Sequence, residues 1–264
     1  MRSRLPASPA HRARLRFSAL LALAALSATL PAFAAWPMAR HDTKRTGAAA
    51  GTSDITAPVP YWRTYLGGAI GPLGMISADV NNDGKTEVVY VTGGRVVAKL
   101  ADDTPVWETP PLGIGYIVAI DDLNGDGKVD IVVAGSNRAY VIAGETGAIE
   151  WAEADGEMGT LGAVRVGDVN GDGRPDVVVQ ECGCCGVNSG KTGFAYSFAM
   201  DFSPTQLWTM PSVACGGSRA LSLVDADGQG PLEVLISTYQ TLSLLDGITG
   251  ATLATTPPLG TWTS

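Results

Sequence analysis

Four stretches of this 264-residue chain place oxygen-bearing side chains at alternate positions of a glycine-containing loop and end on a carboxylate. They are Asp79, Asn81, Asp83 and Glu87; Asp122, Asn124, Asp126 and Asp130; Asp168, Asn170, Asp172 and Asp176; and Asp225, Asp227, Gln229 and Glu233. Counted as positions 1, 3, 5 and 9, they can converge on one hard cation, with the backbone carbonyl of position 7 (Lys85, Lys128, Arg174 or Pro231) as a fifth donor. Position 6 is Gly84, Gly127, Gly173 or Gly230, which permits the sharp turn. Three carboxylates and one amide per loop suit Ca2+ better than Mg2+, which demands tighter octahedral geometry and keeps several waters. Pro231 is expected to be harmless, because proline loses its donor and keeps its C=O. About four calcium sites are expected, one per loop.

A helical calcium hand opens with the same Asp-x-Asn-x-Asp-Gly, but it needs a bidentate Glu at position 12 and flanking helices. Position 12 here is Tyr90, Val133, Val179 or Ile236, each inside an apolar, β-branched run. A metal-free Asp/Asn/Gly turn is the plain alternative, and four in-register copies argue against it.

The elements that must hold these loops repeat with them. In the first copy a strand from Met75 to Ala78 precedes the loop. Strands follow from Glu87 to Val91, from Arg95 to Leu100, and around Trp107. The second copy gives Tyr116 to Ile120, Asp130 to Ala134, Ala139 to Ala143 and Ile149 to Trp151. The third gives Ala163 to Gly167, Asp176 to Gln180, Phe194 to Phe198 and Leu207 to Trp208. The fourth gives Ala220 to Val224, Glu233 to Ser237, Thr241 to Leu245 and Ala251 to Ala254. Each unit reads as a four-stranded antiparallel meander, and the loop spacings of 43, 46 and 57 residues suit β-propeller blades. No helical period follows residue 34, so the fold class is all-β: a β-propeller with four blades visible, expected to be part of a larger ring. Trp107, Trp151 and Trp208 share one position of the fourth strand, with Leu253 there in the last copy. Packing between blades is the expected role of these rings, and carbohydrate stacking is the alternative.

Arg2, Arg4, Arg12, Arg14 and Arg16 precede an apolar stretch from Phe17 to Leu30 that ends in Ala32-Phe33-Ala34, the pattern of a signal peptide cleaved after residue 34. Residues 35–59 are irregular, and 60–264 hold the repeats. No later segment is apolar enough to span a membrane, so secretion or a periplasmic location is expected. Removing five of the 18 Lys and Arg leaves 13 against 26 Asp and Glu, a net charge of −13 that excludes nucleic acid as a partner. Twelve of those acids sit in the four loops, so much of the acidity is ligand chemistry. Residues 60–66, around Trp62, read as a fourth strand without a preceding three, and Thr256 to Gly260 repeats Thr109 to Gly113. Both ends are thus expected to be cut from a longer ring.

The blade order and the Asp-x-Asn-x-Asp-Gly-x-x-Asp/Glu hairpin resemble the FG-GAP/VCBS repeats of integrin-α-type propellers over about residues 70–255. The fourth loop is looser, with Gln229 in place of Asp. The resemblance implies Ca2+ at the loop joining the first two strands of each blade. The Phe-Gly and Gly-Ala-Pro tags of that family are absent or degenerate, so integrin-like ligand binding is not carried over. The stretch from Trp36 to Gly47 resembles the opening of exported bacterial propellers, including some related to quinoprotein folds.

Cys182, Cys184, Cys185 and Cys215 gather around the longest insertion, and in an oxidising compartment disulfides are the default. Cys182 with Cys185 and Cys184 with Cys215 avoids the strained adjacent bridge; a four-thiolate zinc site and a vicinal bridge of the quinoprotein kind are the alternatives. After cleavage His41 is the sole histidine, which argues against a Ser-His-Asp triad. Glu153, Asp155 and Glu157 read as a solvated acidic turn. The sequence therefore points to a secreted calcium-binding scaffold for a protein or carbohydrate ligand, with adhesion as one use. The alternatives are the propeller portion of a polysaccharide lyase or hydrolase and, behind it, a quinoprotein-related propeller.

Overall fold

A computed structural model describes residues 66–135, 138–153, 161–181, 191–211, 220–237 and 241–258. The signal segment, residues 35–59, Trp62, His41, the four cysteines, Asp155 and Glu157 lie outside the described residues, as does the end of the chain from residue 259.

Sixteen strands fall in four groups: β1 (Met75–Ala78), β2 (Glu87–Thr92), β3 (Arg95–Leu100) and β4 (Pro105–Glu108); β5 (Ile114–Asp121), β6 (Asp130–Gly135), β7 (Ala139–Ala143) and β8 (Ile149–Ala152); β9 (Leu161–Gly167), β10 (Asp176–Glu181), β11 (Lys191–Phe198) and β12 (Pro204–Pro211); and β13 (Leu221–Val224), β14 (Glu233–Ser237), β15 (Leu242–Leu245) and β16 (Thr252–Thr255). Each group is one antiparallel sheet in sequence order, and no helix occurs among the described residues. The expected strands all form, most with ends moved by one to three residues. Strand β12 reaches from Pro204 to Pro211 where only Leu207 and Trp208 were read as strand.

Why the sheets stack follows from the two-residue period of a strand. In β6, Ile131 and Val133 point to the first sheet's core, with Val89, Val91, Val96 and Ala98. Val132 and Ala134 point the other way, onto Val164, Val177 and Val179 of the third sheet. A third cluster joins Val178, Ala195 and Trp208 to Leu223, Val234 and Ile236 of the fourth. Both faces of the middle strands are therefore buried, which is why they read as continuous apolar runs rather than alternating ones. Each fully buried Val or Ile contributes about 1.5–3 kcal/mol. The first strands lie side by side, β1 on β5, β5 on β9 and β9 on β13. Four-stranded meanders packed face to face, with their first strands adjacent, are the blades of a β-propeller.

The tryptophans join the blades as expected. Trp107 Nε1 donates to Gly144 O of the second blade at 2.7 Å, and Trp208 Nε1 donates to Gly247 O of the fourth at 2.7 Å. Each ring lies where a Cβ on Gly147 or Gly250 would stand, 2.7 Å from the nearest ring atom, so only glycine fits at those turns. Trp151 instead meets Tyr196 and Phe198 of the third blade, with ring centroids 5.1 and 5.3 Å away. Leu253, at the same position of the fourth blade, is 56% exposed.

One expectation is corrected. Glu153 is 1% exposed rather than solvated, and its N–H donates to Ala139 O, which carries the β7–β8 pairing one residue further.

Candidate metal centre

The four acidic loops close in one register. The residue before position 1 pairs with position 9 in every blade: Ala78 with Glu87, Asp121 with Asp130, Gly167 with Asp176, and Val224 with Glu233. The pair ends the ladder between the first two strands and fixes the loop on the sheet's edge, at the same end in each blade.

Within that frame the side-chain oxygens first organise their own loop. Position 9 accepts from the amide of position 2: Val80 N to Glu87 Oε2 at 2.9 Å, Leu123 N to Asp130 Oδ2 at 2.9 Å, Val169 N to Asp176 Oδ2 at 2.9 Å, and Ala226 N to Glu233 Oε2 at 2.7 Å. Position 3 accepts from position 5 in all four, at 2.8 to 3.0 Å. In the first three loops position 5 accepts from position 7, and position 1 accepts from the glycine at position 6. Those glycines, Gly84, Gly127 and Gly173, have φ of 84, 83 and 86°.

The fourth loop differs at this point. Gly230 has φ 137°, and among the described residues it makes no hydrogen bond to Asp225. Its successor is Pro231, whose ring disfavours the helical region for the residue before it and which has no N–H to return to position 5. Proline at position 7 is thus not neutral: it opens the loop and releases one oxygen of Asp225. The result is a cluster in which ligand oxygens of Asp225, Asp227 and Glu233 all lie within 4.8 Å of one another.

Burial governs the electrostatics. Glu87, Asp130 and Asp176 are 0, 3 and 1% exposed. Loss of solvent pushes Asp130 up to about 8 and Asp176 up to about 6, each helped by neighbouring carboxylates and opposed by the position-2 amide. Burial raises Glu87 also, with Asp83 and Asp79 adding to it. Asp172 goes the other way: burial alone would raise it, but hydrogen bonds from the Arg174 backbone and side chain, with that residue's charge, hold it below its ordinary value.

Two observations bear on whether the donor set could hold a metal ion. Glu87 is wholly buried, yet among the described residues its Oε1 has no hydrogen-bond partner, and the charges of Asp83 and Asp79 add to the rise that burial causes. An unpaired buried carboxylate oxygen is costly unless a cation meets it. The fourth loop's cluster is the other, and every donor is a hard oxygen. Ligand oxygens of Asp225, Asp227 and Glu233 are thus brought together in loop 4, whereas Asp79, Asn81, Asp83 and Glu87 of loop 1 are joined through hydrogen bonds to their loop's own amides. In loops 2 and 3 Asp122, Asn124, Asp126 and Asp130, and Asp168, Asn170, Asp172 and Asp176, form the same hydrogen-bonded loop.

Several contributing residues carried no recognisable signal in the sequence. Asn82 Nδ2 donates across to Gly127 O at 3.4 Å, tying loop 1 to loop 2. Arg174 Nη1 donates to Asn124 O of loop 2 at 3.1 Å and to Phe198 O at 2.9 Å. Asn124 Nδ2 donates to Met200 O of the third blade at 3.2 Å. Burial and the charge of Asp126 raise the Glu150 carboxyl, on β8, and the charge of Glu150 in turn helps to raise Asp130 of loop 2. Pairing of β7 with β8 places it there, and no loop spacing could have revealed it.

A search of curated proteins finds no match. Among solved structures, the chain is similar to the rhamnogalacturonan lyase YesW, with 18% identity, a TM-score of 0.48, and coverage of 69% of this chain and 41% of that one. A Bacillus licheniformis rhamnogalacturonan lyase matches at 18% identity and TM-score 0.42, over 69% of this chain and 50% of that one. BamB from Moraxella catarrhalis matches at 16% and 0.35, over 72% and 52%. The chain thus spans between 41% and 52% of the length of these proteins. No helix among the described residues is long and apolar enough to cross a membrane. Residues 122–179 match the model of the FG-GAP-like repeat, running from the first residue of loop 2 through loop 3 and into β10. With four blades built alike around that stretch, the chain carries an FG-GAP-like repeat within a β-propeller.

Proposed function

We propose that this chain is a secreted or periplasmic calcium-binding propeller scaffold that presents a surface to a protein or carbohydrate ligand. The observation that carries it is the Oε1 of Glu87, buried and without a hydrogen-bond partner among the described residues. Calcium would be held by the position 1, 3, 5 and 9 side chains, with the carbonyls of Lys85, Lys128, Arg174 and Pro231 available to it. Its contribution is charge neutralisation and a clip between the first two strands of each blade. The protein's own share is already visible: the position-9 carboxylate holds the position-2 amide, and the loop is shaped before any ion arrives. Extracellular modules of this kind bind Ca2+ at about 10⁻⁴ to 10⁻³ M, so occupancy would follow the surroundings.

The test is a melting curve with CaCl2 and after EDTA, together with an ion count by mass spectrometry. Calcium is expected to raise the melting temperature, with about four ions per chain. An unchanged melting temperature with no retained ion would remove the calcium reading. The ligand is tested separately by a glycan array, and turnover of a polysaccharide would replace the scaffold with the enzyme alternative.

A further inference from the structure

Each of the four loops offers three carboxylates, yet the residue at position 7 leaves them in different states. In loop 3, Arg174 occupies both oxygens of Asp172: its N–H donates to Oδ1 at 2.9 Å and its Nη2 to Oδ2 at 3.0 Å. The guanidinium cannot easily leave, because Nη1 is fixed on the carbonyls of Asn124 and Phe198. In loop 1 the Lys85 ammonium stands 3.8 Å from Asp83 Oδ2, a loose pair with both partners exposed. Loop 2 has its Lys128 ammonium drawn away to Glu145 Oε2 at 2.7 Å. Loop 4 has Pro231, with neither N–H nor charge, and its three carboxylates stand clustered.

We propose that the position-7 residue sets the order in which the loops take up calcium. Arg174 acts as a tethered competing cation that makes loop 3 the weakest site, and Pro231 leaves loop 4 the tightest. The inference rests on the calcium reading above and goes further by ranking the sites. Arg174 is a positioning residue: it holds Asp172 on a guanidinium that a planar, multidentate donor keeps in place better than an ammonium would. A metal entering loop 3 must break that pair or bind beside a fixed positive charge.

The full chain, stripped with EDTA, is titrated with CaCl2 by calorimetry. The wild type is expected to show at least one tight and one weak class. Arg174→Gln, which removes the charge, is expected to tighten the weak class by about tenfold. Adding Asp172→Asn in that background is expected to erase the gain, which assigns it to loop 3. Pro231→Arg is expected to weaken the tight class by a similar factor. A weak class that is unchanged or weaker in Arg174→Gln overturns the inference and leaves the calcium reading standing; a wild-type chain that binds no calcium overturns both. Should the Gln variant unfold, Arg174→Lys, with its freer charge, is expected to tighten the same class by less, and an unchanged class then overturns the inference equally.

Discussion

The first three acidic loops and the fourth are built on the same register and offer the same number of carboxylates, yet they differ in what those carboxylates do. In loops 1 to 3, position 1 accepts from the position-6 glycine and position 5 accepts from position 7, so the oxygens are largely spent on shaping the turn. In loop 4 the proline removes one of those donors and, by twisting Gly230 to φ 137°, the other. The loop that departs furthest in sequence is the one whose carboxylates gather most closely. What separates a shaped turn from an open cation site is therefore the count of competing donors, not the count of acids.

The largest expected effect tests the burial side of that contrast. The unfolded chain titrates its aspartates near 3.8, whereas folded Asp130 and Asp176 titrate near 8 and 6. Between those values the folded state holds more protons than the unfolded one, so metal-free stability is greatest at the acid end and falls as pH rises. Each pH unit inside the window costs about 1.4 kcal/mol per group. The melting temperature in EDTA is thus expected to fall by several degrees from pH 5 to pH 8. CaCl2 is expected to flatten that slope, because a bound cation keeps the carboxylates ionised. Asp130→Asn is expected to remove the part between pH 6 and 8. A flat metal-free profile would show that these carboxylates are not buried against solvent as loops 1 to 3 require.

Next in size is the cost of losing position 9. Glu87→Ala leaves the Val80 N–H buried without an acceptor and opens a gap in a fully enclosed site, a loss of about 2–4 kcal/mol by urea denaturation. Glu233→Ala removes an equivalent bond to Ala226, but Glu233 is 9% exposed and water can replace it, so about 1 kcal/mol is expected. Equal losses would erase the distinction between the first loop and the fourth.

How much of this the sequence carried can be seen residue by residue. Strand order was legible because β-branched runs such as Glu87 to Val91 and Asp130 to Ala134 are bounded by Asp/Gly turns, and because the register is repeated four times. The role of Trp107 and Trp208 was legible as packing, but not the Gly147 and Gly250 turns that receive them, since those partners lie a blade away. The four loops and their shared register followed from spacing alone. The Arg174 anchor, the Asn82 bridge and the approach of Glu150 did not, because each depends on which blades and strands stand next to one another. Pro231 was judged by its carbonyl, and its effect on the preceding glycine decided the loop's shape. Glu153 was judged by its acidic neighbours, whereas it continues a ladder and is buried.

The smallest effect concerns the seam between loops 3 and 4. Gly171 and Gly173 both have positive φ, 80 and 86°, so alanine at either pays about 1–2 kcal/mol for the left-handed conformation. They differ in their surroundings. A Cβ on Gly173 meets nothing within 4 Å, whereas one on Gly171 stands 2.9 Å from Cγ of Pro231. The proline ring must then shift by a few tenths of an ångström, and Pro231 occupies position 7 of loop 4. Gly171→Ala is therefore expected to cost a further fraction of about 1 kcal/mol in thermal unfolding. It should also lower calcium affinity at the tight class, although the substitution lies in loop 3. Gly173→Ala is expected to leave that class alone and to act only through the left-handed conformation of its own loop. If both variants spare the tight class, loop 4 owes its open shape to Pro231 alone, and the contact with loop 3 plays no part in it.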